Sequence, residues 1–246
     1  MSSAIPQAGR EDAVRGRLDA ITERVRGACV RAGRSPDAVR LIAVSKFHGE
    51  AAVISALESG HRGFGESRVQ EARAKWSALR ESYPDVELHL IGSLQTNKAI
   101  DAVRTFDVIH TVDRVRLATA LARAMEREGR RPACLVQVDT GDEPQKGGVA
   151  PAGLDALLRE CKEGCGLAIY GLMCIPPAQQ DPAPHFRLLR KLAAEHGLAE
   201  LSMGMTADFE TAIAEGATMV RVGSAIFGPR PAPAASGAGS AAPEEP

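Results

Sequence analysis

Neither sign of charge dominates this chain. Lysine plus arginine number 30 and aspartate plus glutamate 31 in 246 residues, a formal net charge of −1. A protein whose main partner is nucleic acid or an acidic membrane carries a basic excess, and none is present. No apolar run approaches the roughly 18 residues that a membrane-spanning helix needs. The start, Met1-Ser2-Ser3-Ala4-Ile5-Pro6, becomes charged at Arg10-Glu11-Asp12 without an apolar stretch, so no secretory signal is expected. Cysteine is sparse and odd in number: Cys29, Cys134, Cys161, Cys165 and Cys174. No framework spacing links them, which predicts reduced thiols in a cytoplasmic protein. Cys161 and Cys165 stand four apart, as a metal pair could. No second pair of ligands is near, so plain thiols are the expectation.

What is present is alternation. The run Leu41-Ile42-Ala43-Val44-Ser45-Lys46 reads as a buried strand ending in a serine and a lysine. Further strands are predicted at 63–66, 86–91, 108–110, 134–138, 167–173, 200–203 and 218–222. Helical periodicity lies between them. Val14, Leu18, Ile21, Val25 and Ala28 form an apolar stripe on a helix from Glu11, ended by Gly33 and Pro36. Ser67 is expected to cap the helix after the second strand, Asp113 to open the fifth, and Thr206 or Asp208 the one after the seventh strand. Trp76, the one tryptophan, is expected in the core. Eight strands, each followed by a helix or helical turn, predict an α/β fold, a single (β/α)8 TIM barrel over residues 11–228 with an extra N-terminal helix. An open doubly wound sheet is the competitor. It usually carries a glycine fingerprint after its first strand, and Ser45-Lys46-Phe47-His48-Gly49 is not one. Residues 1–10 are expected to fray. Residues 229–246, rich in proline, alanine and glycine, are expected to be a disordered tail.

Chemistry is expected at the C-terminal ends of the strands, where barrels hold ligands. Lys46 ends the first strand. Burial disfavours an ammonium ion, and Schiff-base chemistry with a carbonyl needs a free amine lone pair. A solvated lysine just past a strand is the other reading. Met203-Gly204-Met205-Thr206 follows strand seven, and Arg221-Val222-Gly223-Ser224 spans the end of strand eight. Glycines and hydroxyls there suit a phosphate, because barrels often bind phosphate at these two loops and a short following helix. The glycines also suit simple turns. Together the two ends fit a phosphorylated aldehyde: pyridoxal 5′-phosphate, or the substrate of a Schiff-base aldolase. Elsewhere the expectations are modest. His48 and His61 read as solvated loop residues, His185 and His196 as surface or capping groups. His89 and His110 read equally as core histidines or pocket walls, and Glu66 as a pocket-orienting group or a helix cap. Asp142, Glu143 and Lys146 lie on a long polar loop, 139–148, that could be a lid or merely solvated.

Val44-Ser45-Lys46, Phe64-Gly65-Glu66, Val69-Gln70-Glu71, His89-Leu90-Ile91-Gly92, Leu94-Gln95-Thr96-Asn97-Lys98, Gly171-Leu172-Met173, Leu201-Ser202-Met203-Gly204-Met205 and 219–228 occur in one order. Together they resemble the pyridoxal-phosphate homeostasis protein family, which has the fold of the alanine-racemase N-terminal domain. The resemblance runs from about residue 11 to Gly228. It implies that Lys46 forms the internal aldimine and that Arg221 faces the pyridine nitrogen. It implies phosphate contacts from Gly223 and Ser224 and from the turn of Met203, Gly204, Met205 and Thr206. Two positions depart from the family pattern. Ser67 stands where asparagine is usual, which puts a contact near the ring in question. Thr206 stands where serine is usual, which keeps the hydroxyl. An arginine at the ring nitrogen stays protonated and leaves that nitrogen unprotonated, so the ring is a weak electron sink.

The resemblance implies a carrier of pyridoxal phosphate in intracellular homeostasis, without turnover and without a metal. Apo-enzymes that use the cofactor are the implied recipients. Neither nucleic acid nor membrane is expected as a partner, and the oligomeric state is expected to be monomer or weak dimer. The rivals are an amino-acid racemase of the same fold and a Schiff-base aldolase. The racemases that the fold resembles add a second domain, which supplies a catalytic tyrosine across the dimer. Here Tyr83 and Tyr170 are the only tyrosines and the chain is expected to end in a tail.

Overall fold

The apolar run before Lys46 forms β1 (Arg40–Val44), and its neighbours in the sheet are β2 (Gly63–Glu66) and β8 (Met219–Val222). A strand flanked by the second and the last closes the sheet on itself. The computed structural model describes residues 7–143 and 147–229. Within them β3 (Glu87–Leu90), β4 (Val108–Val112), β5 (Ala133–Gln137), β6 (Ile169–Met173) and β7 (Glu200–Ser202) complete an eight-stranded parallel barrel in sequence order. Registers such as Ala43↔Phe64, Leu41↔Val220 and Ser202↔Met219 set which side chains share a level.

Helices follow the strands: α2 (Glu50–Glu58), α3 (Val69–Ser82), α4 (Ala99–Thr105), α5 (Val115–Glu128), α6 (Leu154–Arg159), α7 (Pro182–Glu195), α8 (Phe209–Ala214) and the short α9 (Ser224–Phe227). The extra helix α1 (Gln7–Arg31) packs on α2, α8 and α9. Its predicted stripe is buried throughout, Val14, Leu18, Ile21, Val25 and Ala28 each being at most 4% exposed. Each larger member of that stripe contributes on the order of 1.5–3 kcal/mol. The helix begins at Gln7, earlier than the expected Glu11. Residues 1–6, Lys146 and residues 230–246 of the expected tail lie outside the described residues.

Strand alternation divides the side chains between two cores. Phe64, Leu88, Leu90, Val136, Leu172, Val220 and Val222 pack outward against the helices. Ile42, Val108, Leu135 and Met219 form a separate apolar level inside the barrel. Two expected caps are corrected. Ser67 does not cap α3, whose N-cap is Arg68, and Arg114 rather than Asp113 precedes α5. In both the chain needs one more extended residue to turn from strand level onto the barrel's outside. Asp208 starts α8 as its N-cap residue, and its side chain accepts the Met205 N–H of the preceding turn.

Among the described residues no helix is long and apolar enough to cross a membrane.

Candidate functional site

Lys46, Ser67, the 203–206 turn, Arg221, Gly223 and Ser224 all lie at the C-terminal ends of β7, β8, β1 and β2, which are consecutive around the barrel. Residues as far apart as 46 and 224 therefore share one sector of the mouth. Lys46 is half-buried in the turn after β1. Its Nζ lies 5.9 Å from the centroid of the Phe47 ring. Phe47 itself is left-handed, with φ 68°, a conformation that costs a residue bearing a Cβ.

A buried polar cluster stands behind that turn. Glu66 points outward from β2 and is fully buried. Its Oε1 accepts from Ser45 Oγ at 2.7 Å, Lys75 Nζ at 2.8 Å and Trp76 Nε1 at 3.1 Å. Lys75 also donates to the Ser45 carbonyl at 2.9 Å, and Glu71 accepts the Phe47 N–H at 2.8 Å. Of the two readings of Glu66, the helix cap is set aside: the carboxylate orients Ser45 and Lys75 behind the Lys46 turn. Trp76 is core, as expected, and spends its one donor on this carboxylate. Sequence reasoning gave Glu71 a place in a motif but no role, and Lys75 neither. The available signal was their i,i+4 spacing, which puts both on one face of α3.

The other side of the mouth is built by β7 and β8. Gly204 has φ 91°, and a Cβ there would lie 2.5 Å from Ala212 Cβ, so only glycine makes this turn. Its carbonyl accepts the Arg221 N–H at 2.9 Å, which ties the two loops together. Ser224 Oγ and Thr206 Oγ1 stand 3.5 Å apart across the gap. Met203 is fully buried in the outer core, so only its backbone reaches the mouth. Met205 is 39% exposed, and its N–H is already donated to Asp208 Oδ1 at 2.6 Å. Gly223 sits against the end of β1, where a Cβ would come within 3.1 Å of the Val44 carbonyl oxygen. Ser67 is half-buried, and its carbonyl packs so closely on Gly92 that a Cβ there would lie at 2.2 Å.

Arg221 points into the barrel and is 3% exposed. It donates to Ser202 Oγ at 2.6 Å and to the Cys174 carbonyl at 2.9 Å. Both acceptors are neutral, and no carboxylate among the described residues pairs with it. Burial pulls its pKa down from the usual arginine value. From Ser202 the chain of contacts continues down the barrel. Ser202 Oγ meets His110 Nδ1 at 2.8 Å, and His110 Nε2 meets His89 Nδ1 at 2.9 Å. Arg221 can only donate, so the Ser202 hydroxyl accepts from it and keeps its own proton and a second lone pair for His110. Burial holds both histidines neutral: His89 is pushed down to about 3 and His110 well below its usual value. At the bottom, Glu87 Oε1 lies 3.5 Å from His89 Nε2 and 3.6 Å from Arg40, which also pairs with Glu200 at 2.8 Å. His89 and His110 are therefore interior groups that support Arg221.

His48 and His61 differ from a solvated reading, whereas His196 has the capping place expected of it. His48 stacks on Phe227 with ring centroids 5.3 Å apart, and His61 bonds the Gly63 carbonyl at 2.8 Å. His185 joins α7 to the loop after β5 through the Thr140 carbonyl, and His196 is the C-cap of α7. In that loop Asp139 Oδ1 accepts the N–H groups of Gly141 and Glu143, so it starts as an ordered turn. All five cysteines are free thiols, and burial pushes Cys134, Cys161 and Cys174 up to about 12. Among the described residues no group of three or more His, Cys, Asp or Glu could hold a metal ion.

Comparison with known proteins agrees with this geometry. The family model for the alanine racemase N-terminal domain matches residues 17–231. A pyridoxal phosphate homeostasis protein of Aquifex aeolicus is 39% identical over 87% of this chain and 97% of that protein. Two structures of PipY from Synechococcus elongatus superpose on it. The one without PLP has TM-score 0.79 and 41% identity, the one with PLP bound 0.76 and 40%. Each covers 87% of this chain and all of PipY. The chain belongs to the pyridoxal phosphate homeostasis protein family, built on the alanine racemase N-terminal domain.

Proposed function

We propose that this chain binds pyridoxal 5′-phosphate at the mouth of the barrel, covalently on Lys46, and carries it in the cytoplasm without turning over a substrate. The observation that carries this reading is Arg221. A guanidinium buried in a barrel with only neutral partners is costly. A neutral ring nitrogen is an acceptor that it suits. The rest of the donor set fits the same molecule. Lys46 offers an amine one strand away. Thr206 and Ser224 offer two facing hydroxyls, and Gly223 lets a phosphate approach the backbone. In this reading Met203, Gly204 and Met205 shape the cradle through their backbone, and Ser67 lies beside the ring. Bound here, the cofactor supplies an aldehyde that Lys46 captures reversibly. Residues 11–228 form the binding unit, and apo-enzymes of the same cofactor are its recipients. The relative named PipY, solved with PLP bound, supports the ligand.

The tyrosines of this chain stand in the wrong place for racemase chemistry. Tyr170 is the second residue of β6 and Tyr83 follows the end of α3, so both lie at the end of the barrel away from Lys46. Racemisation needs acid/base groups on both faces of the reacting carbon, and no tyrosine of this chain stands opposite Lys46. Incubating the loaded protein with L-alanine in deuterated water is expected to give no D-alanine by chiral analysis. D-alanine at enzyme-like rates, on the order of 1 per second, would make it a racemase instead.

Phosphate recognition has its own test. Ser224→Ala is expected to weaken pyridoxal 5′-phosphate by about 1.5–3 kcal/mol, the usual worth of a hydrogen bond to a charged group. Unphosphorylated pyridoxal is expected to lose almost nothing. Equal losses in equilibrium titrations of the two ligands would move the phosphate elsewhere.

A further inference from the structure

We infer that Glu71 and Lys75 are positioning residues that aim Lys46. The inference rests on Lys46 being the attachment point. Two peptide planes flank the Lys46 Cα. The carbonyl of the first belongs to Ser45, and the N–H of the second belongs to Phe47. Lys75 Nζ donates to the first at 2.9 Å, and Glu71 Oε1 accepts from the second at 2.8 Å. Peptide planes are rigid. Holding both fixes φ and ψ at Lys46, and with them the direction in which its Cα–Cβ bond leaves the chain.

The anchor for both bonds is one helix face. Glu71 and Lys75 are one turn apart on α3, which is seated by buried Val69, Ala72 and Trp76. Lys75 cannot drift, because Glu66 holds it at 2.8 Å and also holds Ser45 Oγ at 2.7 Å. The turn has a reason to need this. Phe47 is left-handed at φ 68°, which an L-residue avoids on its own. The Glu71 acceptor meets the N–H of that very residue. A buried ion pair is a weak source of net stability, so the Lys75–Glu66 pair acts here chiefly on geometry. A lysine side chain has four free torsions. Fixing its root narrows where the amine can be found, which is how a site becomes preorganised.

The test separates aim from folding. Glu71→Gln keeps an acceptor oxygen and Glu71→Ala removes it. In the ligand-free protein, hydrogen exchange at the Phe47 amide is expected to rise about tenfold in Glu71→Ala, roughly one hydrogen bond's worth. It should stay near wild type in Glu71→Gln, and the amides of β5 should be unchanged in both. Affinity for pyridoxal 5′-phosphate is expected to fall by a similar factor in Glu71→Ala and to recover in Glu71→Gln. Pyridoxine 5′-phosphate has no aldehyde and reads the cradle alone, so all three proteins should bind it equally. Equal pyridoxal 5′-phosphate affinity in Glu71→Ala and wild type would overturn the inference. So would an equal loss for pyridoxine 5′-phosphate, or failure of glutamine to rescue. If wild type itself captures no aldehyde on Lys46, the proposed function fails, and the exchange and rescue data still judge the clamp.

Discussion

In Lys46→Ala, borohydride reduction with pyridoxal 5′-phosphate is expected to leave no pyridoxyl group on the protein, while the fold survives. In wild type the group is expected on the peptide containing Lys46 and on no other. The physical reason is availability. Lys46 is half-buried in a turn at the mouth, with its amine near an aromatic ring and no carboxylate paired to it among the described residues. Lys75 lies close in the fold but is held by Glu66 and by the Ser45 carbonyl, and is 8% exposed. An ammonium engaged by two acceptors in a dry site has no lone pair to offer an aldehyde. The loss of trapping is therefore all-or-none, unlike the graded loss from a cradle hydroxyl. The variant should still bind the cofactor weakly through its phosphate. Circular dichroism should match wild type, because the Lys46 side chain makes no hydrogen bond or ion pair among the described residues. A pyridoxyl group on Lys75, Lys98 or Lys146 would place the site at the wrong strand end.

Much of this site was legible because barrels impose an order. Once eight strand–helix units are recognised, the ends of β7, β8, β1 and β2 must be neighbours, and Lys46, Thr206, Arg221 and Ser224 must face one opening. No pairwise contact had to be guessed. Alternation in the strands likewise sends Arg221 to the inside, two residues above Met219. The apolar stripe of α1 was legible for the same reason: period 3.6 is a property of the segment itself.

What stayed hidden were polar partnerships between segments. Ser202, His110 and His89 come from three strands, and nothing local in any of them announces the other two. Their contacts follow from strand stagger around the closed barrel, which sequence periodicity does not fix. The same holds for Glu66. A glutamate at the end of a strand before a helix reads as a cap, because capping is the commonest local use of a carboxylate there. Here the helix opposite carries Lys75 and Trp76 at the level of Glu66, and a tertiary ion pair displaces the local option. Ser67 was misread as a cap for a related reason. Its carbonyl is fitted against Gly92, and α3 begins only after Arg68 has turned the chain outward.

The interior histidines make stability depend steeply on mild acid. His89 and His110 are neutral in the folded protein, His89 down to about 3 and His110 well below its usual value, and desolvation is the first cause for both. Nearby Arg40 and Arg221 act in the same direction, because they repel a further positive charge. In the unfolded chain both titrate at about 6.5. Below that value the unfolded chain binds protons that the folded chain refuses, so stability falls as pH falls. Above it both states are neutral and the term vanishes. Each histidine then contributes about 1.4 kcal/mol per pH unit. From pH 7.5 to 5 the two together are expected to lower the unfolding free energy by roughly 4 kcal/mol, out of the 5–15 kcal/mol typical of a domain. His61 and His48 are lowered too, again by burial first, and add in the same direction. Carboxylates whose pKa is lowered, such as Asp85 and Glu128, titrate below this window. Glu87 is raised by burial and works against the trend. Urea unfolding at several pH values measures the slope, and at least two protons should be taken up on unfolding near pH 5. His110→Gln should remove about one of them, whatever it does to stability at neutral pH. A flat profile between pH 7.5 and 5 would mean that the barrel accommodates the imidazolium ions.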